Sequence, residues 1–133
     1  MADQPKGTRP LSPFMLGTYY RFQMTSVSSI LTRITGNAII VAFAIGVWWL
    51  LAAATSDRAF ALAQGFATSW FGDLVFFLSL WGVWYHYLAG LRHLWFDSIR
   101  GLELRTAERL GWACILGSVV LTLLSVLLIR ALG

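Results

Sequence analysis

The chain has 133 residues, of which 58% are hydrophobic and only 12% are charged, and its formal net charge is +4. This composition excludes an ordinary soluble domain, which needs more polar residues to cover its surface, and is typical of a protein surrounded by lipid. The basic residues form no hydrophilic stretch suited to nucleic acid, and the single cysteine excludes an intrachain disulfide or a multi-cysteine metal site.

The N-terminal segment is polar and contains all three prolines of the chain. It lacks both the apolar run of a cleaved secretory signal and the Arg- and Ser-rich amphipathic pattern of a mitochondrial presequence. We therefore expect a bacterial protein whose residues 1–25 form a cytoplasmic segment ahead of the first membrane helix.

A pair of polar residues stands where the first apolar run begins. Ser29 and Arg33 are four residues apart and therefore share one face of a helix, with Thr32 and Gly36 beside them. A cation and a hydroxyl at a membrane boundary could hydrogen-bond the oxygens of a quinone and stabilise the charge that develops on reduction. Alternatively, the arginine reaches lipid phosphates and the hydroxyls cap a helix, and spacing alone favours this second interpretation.

Three apolar segments are each long enough to cross the hydrocarbon core, which takes about 20 helical residues. They predict an all-α membrane protein with three transmembrane helices, at about 29–54, 73–97 and 107–131, in one domain over residues 1–133. The first connection could form a short interfacial helix capped by Ser56 or Asp57, or it could be irregular.

Lysine and arginine are distributed unevenly over the segments outside the uncharged runs 34–54, 74–91 and 110–129. The N-terminal segment, the two connections and the C-terminal tail contain four, one, four and one of them in chain order. Because short cytoplasmic segments are enriched in basic residues, this bias predicts a cytoplasmic N-terminus and a periplasmic C-terminus in a bacterial inner membrane.

The apolar run of the second span, residues 74–91, contains one ionisable residue, His86, which lies about 9 Å along the helix axis inside Arg92. An ionisable side chain at that depth is costly and marks a function or a partner by default. Neutral imidazole is a strong axial ligand for haem iron, and Gly90, one turn further on, would let a flat macrocycle approach the helix. Spacing alone leaves open a histidine hydrogen-bonded to a neighbouring helix, or a proton relay.

His93, the only other histidine, lies on the same stripe of the second helix as His86, and Asp97 follows one turn later. The two histidines are about 10.5 Å apart along the axis, so they cannot both ligate one iron. A haem with two histidine ligands would need the second from another polypeptide. We therefore expect a membrane partner.

Three ordered motifs make the chain resemble the cytochrome b subunit of succinate dehydrogenase, a membrane anchor of respiratory complex II. They are RPLSP at 9–13, SILTRITG at 29–36 and HYLAGLRHLWFD at 86–97. The resemblance covers nearly the whole chain.

The resemblance implies an electron-transfer subunit of the tricarboxylic acid cycle and aerobic respiration, without dehydrogenase chemistry of its own. It implies that His86 is an axial ligand of haem b and that Ser29 and Arg33 contact ubiquinone. It also implies that Arg33, Arg92 and His93 lie near the haem propionates. The partners would be a second three-helix anchor that supplies the other haem histidine, an iron–sulfur subunit and a flavoprotein that oxidises succinate.

The chain departs from the family pattern at Thr32 and Phe14, where relatives usually have histidine. The first departure removes a polar contact from the haem and propionate region, which affects the haem environment rather than the axial ligand. A haem-free structural anchor is the main alternative. A small transporter or channel subunit would need polar residues on several helices, whereas 34–54 and 110–129 contain no charged residue.

Overall fold

The computed structural model describes residues 23–133, which form four α-helices in chain order. These are α1 (Met24–Thr55), α2 (Asp57–Ala67), α3 (Trp70–Asp97) and α4 (Leu104–Leu132). The motif at 9–13, Phe14 and most of the expected N-terminal segment lie outside the described residues.

Three of the helices, α1, α3 and α4, are long and apolar enough to cross a membrane. They contain 32, 28 and 29 residues, more than the roughly 20 that the hydrocarbon core requires, so their ends can extend into the interfacial regions. The prediction of an all-α protein with three membrane helices is confirmed.

The first connection forms a short capped helix, one of the two structures considered for it. The Ser56 side chain accepts a hydrogen bond from the backbone N–H of Ala59 at 3.2 Å, and Asp57 lies in the first turn of α2. Both features satisfy or complement the free N–H groups at a helix N-terminus. Helix α2 is therefore specified locally, by its own first residues.

Helix α2 is held beside α1 and turns sharply into α3. The indole N–H of Trp49 on α1 donates to the side-chain carbonyl of Gln64 on α2 at 3.0 Å. At the start of α3, a Cβ atom on Gly72 would lie 2.2 Å from the backbone oxygen of Phe66. This corner therefore requires glycine, because no side chain fits between the end of α2 and the start of α3.

Helix α3 lies against both α1 and α4, and the small core forms around it. Its centre is Tyr85, which is fully buried with Ala89 and with Cys114 of α4, the cysteine of the third apolar run. Apart from Arg92, the remaining buried positions are all Gly, Ala, Ser or Thr, as expected where membrane helices approach closely. Most large apolar side chains face outward instead, toward lipid or a partner.

Candidate functional site

His86 lies in the middle of α3 and packs against a small-residue surface of α1. Its Nδ1 atom is 3.2 Å from the backbone oxygen of Thr32 and 3.3 Å from the hydroxyl oxygen of Thr35. The ring lies so close to Gly36 that a Cβ atom there would be 3.1 Å from Cε1 of the histidine. The absence of a side chain at Gly36 therefore lets the imidazole reach the α1 backbone.

The hydrogen bonds determine which imidazole nitrogen is available for chemistry. A backbone carbonyl can only accept a hydrogen bond, so the contact with Thr32 places the proton of the neutral ring on Nδ1. Both hydrogen bonds of His86 in the described part of the chain involve Nδ1. The unprotonated Nε2 of His86 therefore retains a lone pair that can bind a metal ion.

Two glycines of α3 stand one turn to either side of His86. Gly82 precedes the histidine and Gly90 follows it, and a Cβ atom on either glycine would meet nothing within 4 Å. Gly82 is buried in the bundle, whereas Gly90 is half-buried. Gly90 is the position that we expect to give a planar macrocycle room beside its axial ligand.

The predicted quinone residues, Ser29 and Arg33, are exposed on α1. Neither side chain has a hydrogen-bond partner among residues 23–133. They share a helix face with Gly36, which packs on His86 and lies about 4.5 Å beyond Arg33 along the axis. The two motifs that stood apart in the sequence therefore meet at one contact between α1 and α3.

Arg92 is placed differently from the other predicted site residues. It is only 9% exposed and points into the bundle, where its Nη1 atom donates to the hydroxyl oxygen of Ser28 on α1. The hydroxyl of Tyr85 donates to the backbone oxygen of the same serine at 3.2 Å. Ser28 thus joins α1 to α3, a contact that the sequence analysis missed because nothing in the spacing separates this serine from its neighbours.

The position of Arg92 around the helix follows from its place in the chain. Six residues at about 100° each put it about a third of a turn away from His86. His93 and Asp97 lie on the stripe of His86, and both are exposed. The structure therefore leaves His93 accessible beside His86 and engages Arg92 in helix packing.

The described residues contain no group of three His, Cys, Asp or Glu side chains that could hold a metal ion by itself. An ion bound through His86 would need its other ligands from elsewhere. Haem iron meets this condition, because the porphyrin supplies four nitrogen ligands and the protein supplies only axial ones. The free Nε2 of His86 and the missing side chain at Gly90, one turn further along α3, fit that group.

Comparison with known proteins gives consistent matches over most of the chain. Residues 5–125 match the family described as succinate dehydrogenase/fumarate reductase transmembrane subunit. The succinate dehydrogenase cytochrome b556 subunit of Paracoccus denitrificans is 46% identical over 127 residues, which is 96% of each chain. Its counterpart in Rickettsia conorii is 33% identical over 117 residues, covering 87% of this chain and 89% of the relative. The succinate dehydrogenase cytochrome b560 subunit of Reclinomonas americana is 36% identical over 110 residues, covering 78% of this chain and 74% of the relative.

Proposed function

The chain belongs to the succinate dehydrogenase/fumarate reductase transmembrane subunit family, and we propose that it is the cytochrome b membrane anchor of a succinate dehydrogenase. In this role it holds one side of a haem b and part of a ubiquinone site. It passes electrons from an iron–sulfur subunit to quinone and performs no dehydrogenation itself.

The observation that carries the haem assignment is the arrangement around His86. Its Nδ1 is bound to α1, its Nε2 has no hydrogen-bond partner in the described part of the chain, and a Cβ atom on Gly90 would meet nothing within 4 Å. Haem b, when bound, supplies a one-electron carrier, while the protein supplies the axial ligand and its surroundings. Within this chain, the α1 contact orients the imidazole and Gly90 leaves room one turn further along α3.

The quinone assignment rests on Ser29 and Arg33, which are exposed and near His86 along α1. Reduction of a quinone to a quinol adds two electrons and two protons, and negative charge develops on the carbonyl oxygens. A guanidinium and a hydroxyl that donate to those oxygens stabilise this charge more strongly than they stabilise the neutral quinone. Arg33 and Ser29 would thus lower the barrier to reduction as well as bind the ligand.

Three basic residues are proposed near the haem propionates: Arg33, Arg92 and His93. Arg33 and His93 are exposed and can reach an anionic group directly. Arg92 would have to leave its contact with Ser28 to do so.

The proposed topology puts the N-terminus in the cytoplasm and the C-terminus in the periplasm, with residues 1–133 as a single domain. A second membrane anchor would supply the other axial histidine, because the distance between His86 and His93 prevents both from binding one iron. The iron–sulfur and flavoprotein subunits would lie on the cytoplasmic side, close to Ser29 and Arg33.

One observation also agrees with a haem-free structural anchor, since the bond from His86 to Thr32 is the interhelical hydrogen bond which that alternative requires. The alternative gives no reason for the absence of a hydrogen-bond partner of Nε2 in the described part of the chain. An optical spectrum of the complex separates the two functions.

The quinone function is tested by Arg33→Leu in the complex purified with all its subunits. We expect succinate–quinone activity to fall by at least about tenfold, since a single charge-stabilising donor is worth this much or more. Succinate oxidation by a soluble artificial acceptor should persist. Arg58→Leu, which removes an arginine from α2, is the control and should change neither activity. An equal loss of both activities in Arg33→Leu would contradict a specific quinone role.

A further inference from the structure

We propose that Thr35 is a positioning residue for the haem iron, because its hydroxyl acts with the Thr32 carbonyl to fix the tautomer and the donor strength of His86. The inference rests on the proposed function, since it assumes that His86 ligates haem through Nε2. It assigns a role to a buried hydroxyl on α1 whose hydrogen bonds are to Leu31, Thr32 and His86.

The hydroxyl of Thr35 has a single proton and three neighbouring groups. Its oxygen lies 2.8 Å from the backbone oxygen of Leu31, 3.1 Å from that of Thr32 and 3.3 Å from Nδ1 of His86. The shortest contact, to Leu31, is the usual bond from a helical threonine to the preceding turn. With the proton directed there, the lone pairs of the Thr35 oxygen are free to accept from His86.

The opposite arrangement leaves polar groups unsatisfied. If the proton of His86 were on Nε2, the Nδ1 lone pair would face the Thr32 carbonyl oxygen at 3.2 Å without a proton between them. The Thr35 hydroxyl could then donate to Nδ1 only by giving up its carbonyl partners on α1. Thr35 is 2% exposed, so water cannot replace a lost partner. The tautomer with the proton on Nδ1 satisfies Nδ1 of His86, the Thr32 carbonyl and the Thr35 hydroxyl.

Steric contact supports the same orientation. The Cε1 edge of the His86 ring lies against Gly36, at the separation where an added Cβ atom would force a neighbour to shift. The ring is therefore confined by the α1 backbone on this side and by two acceptors at Nδ1. Its Nε2 is left outside these hydrogen bonds.

The consequence for bound haem is electronic as well as geometric. An imidazole that donates from Nδ1 to a good acceptor is a more basic ligand at Nε2, and a more basic ligand stabilises ferric over ferrous iron. Removal of one of the two acceptors should therefore raise the haem reduction potential. The Thr32 carbonyl remains in place, so the ligand itself should be retained.

The test is a redox titration of the haem in the purified complex with Thr35→Val, which removes the hydroxyl and keeps the side-chain shape. We expect normal haem content and at least a threefold rise in the ferrous-to-ferric ratio at a fixed potential. For a one-electron couple this is an upward shift of about 28 mV, since a tenfold change corresponds to 59 mV. Thr35→Ser, which restores the hydroxyl, should return the potential to that of the wild type.

Thr122→Val is the matched control. Thr122 is also buried, and its hydroxyl also bonds the preceding turn, at 2.7 Å to the Ser118 oxygen, but it lies on α4 away from His86. An unchanged potential in Thr35→Val with normal haem content, or an equal shift in Thr122→Val, would overturn the proposal.

If Thr35→Val fails to retain haem, Thr35→Ser decides the question. Normal haem and potential in the serine variant would show that the hydroxyl is required, whereas haem loss there too would overturn the proposal. His86→Ala in the same preparation keeps the two hypotheses distinct. If the haem band survives in His86→Ala, the proposed ligand is refuted. If the band is lost there but the haem reduction potential of Thr35→Val equals that of the wild type, only the role of Thr35 is refuted.

Discussion

Two adjacent serines on α1 have contrasting surroundings. Ser28 is 1% exposed and accepts hydrogen bonds from Arg92 and Tyr85, so it joins α1 to α3 inside the bundle. Ser29 is exposed and has no partner in the described part of the chain. A rotation of about 100° between neighbouring residues is enough to separate a packing residue from a ligand-binding candidate.

Ser28→Ala should destabilise the protein without a specific effect on quinone reduction. The change leaves a buried guanidinium without its acceptor, and hydrogen bonds to charged groups contribute about 1.5–3 kcal/mol. The loss can be measured as the shift in thermal or detergent unfolding of the purified complex. Activity per assembled complex should be retained.

Ser29→Ala should have the opposite effect. Stability should change by less than about 0.5 kcal/mol, as for other exposed positions. The KM for quinone should rise or the turnover should fall, because a donor to the quinone oxygen is lost. Equal effects of the two substitutions on both measurements would contradict the assigned roles.

At the scale of helices, the corner between α2 and α3 depends on one glycine. The start of α3 passes so close to the end of α2 that a Cβ atom on Gly72 would overlap the Phe66 backbone oxygen. A backbone atom cannot rotate away as the end of a side chain can, so the whole corner would have to open. Gly65, within α2, has no such neighbour.

Gly72→Ala should therefore destabilise the corner by about 1–3 kcal/mol or more, as overpacking does in tightly packed sites. Hydrogen–deuterium exchange in residues 57–72 should accelerate. The matched control, Gly65→Ala, should slow exchange in α2, because alanine favours a helix over glycine by about 1 kcal/mol. If residues 57–72 of Gly72→Ala exchanged as slowly as those of the wild type, the close approach of the two helices would be contradicted.

The membrane helices were predictable because a run of about 20 apolar residues fits the thickness of the bilayer as a helix. A helix also satisfies the backbone N–H and C=O groups of the segment within itself, which lipid cannot do. The partners of individual side chains were not. Which carbonyl of α1 meets His86 depends on the rotation and separation of two helices, and these are set by the fit of small residues such as Gly36. Arg92 illustrates the limit, since it stands beside His93 in the sequence but packs into the bundle against Ser28.

At the scale of the whole molecule, the uneven distribution of lysine and arginine predicts the orientation that we propose for the chain in the membrane. A fusion of alkaline phosphatase to the C-terminus should be active, because that enzyme functions in the periplasm, and a green fluorescent protein fusion there should be dark. The same reporters fused within the connection between α3 and α4 should behave in the reverse way. A fluorescent C-terminal fusion would contradict the proposed topology.

The outward-facing apolar side chains and the proposed half of a haem site both favour a chain that acts with partners. Its surface along α1 and α3 is apolar and exposed, and His86 would provide a single axial ligand. A chain that holds half of a haem site should bind haem stably only when a second histidine is supplied. The anchor is therefore best studied within its complex.

The most direct measurement of the central claim is the reduced-minus-oxidised optical spectrum of the purified complex carrying His86→Ala. We predict that the b-type haem band is lost, while His93→Ala, which removes the other histidine on the same stripe, keeps it. Normal levels of the remaining subunits in both preparations would show that assembly is intact. A b-type band of wild-type size in His86→Ala, or no such band in the wild-type complex, would contradict the assignment of His86 as a haem ligand.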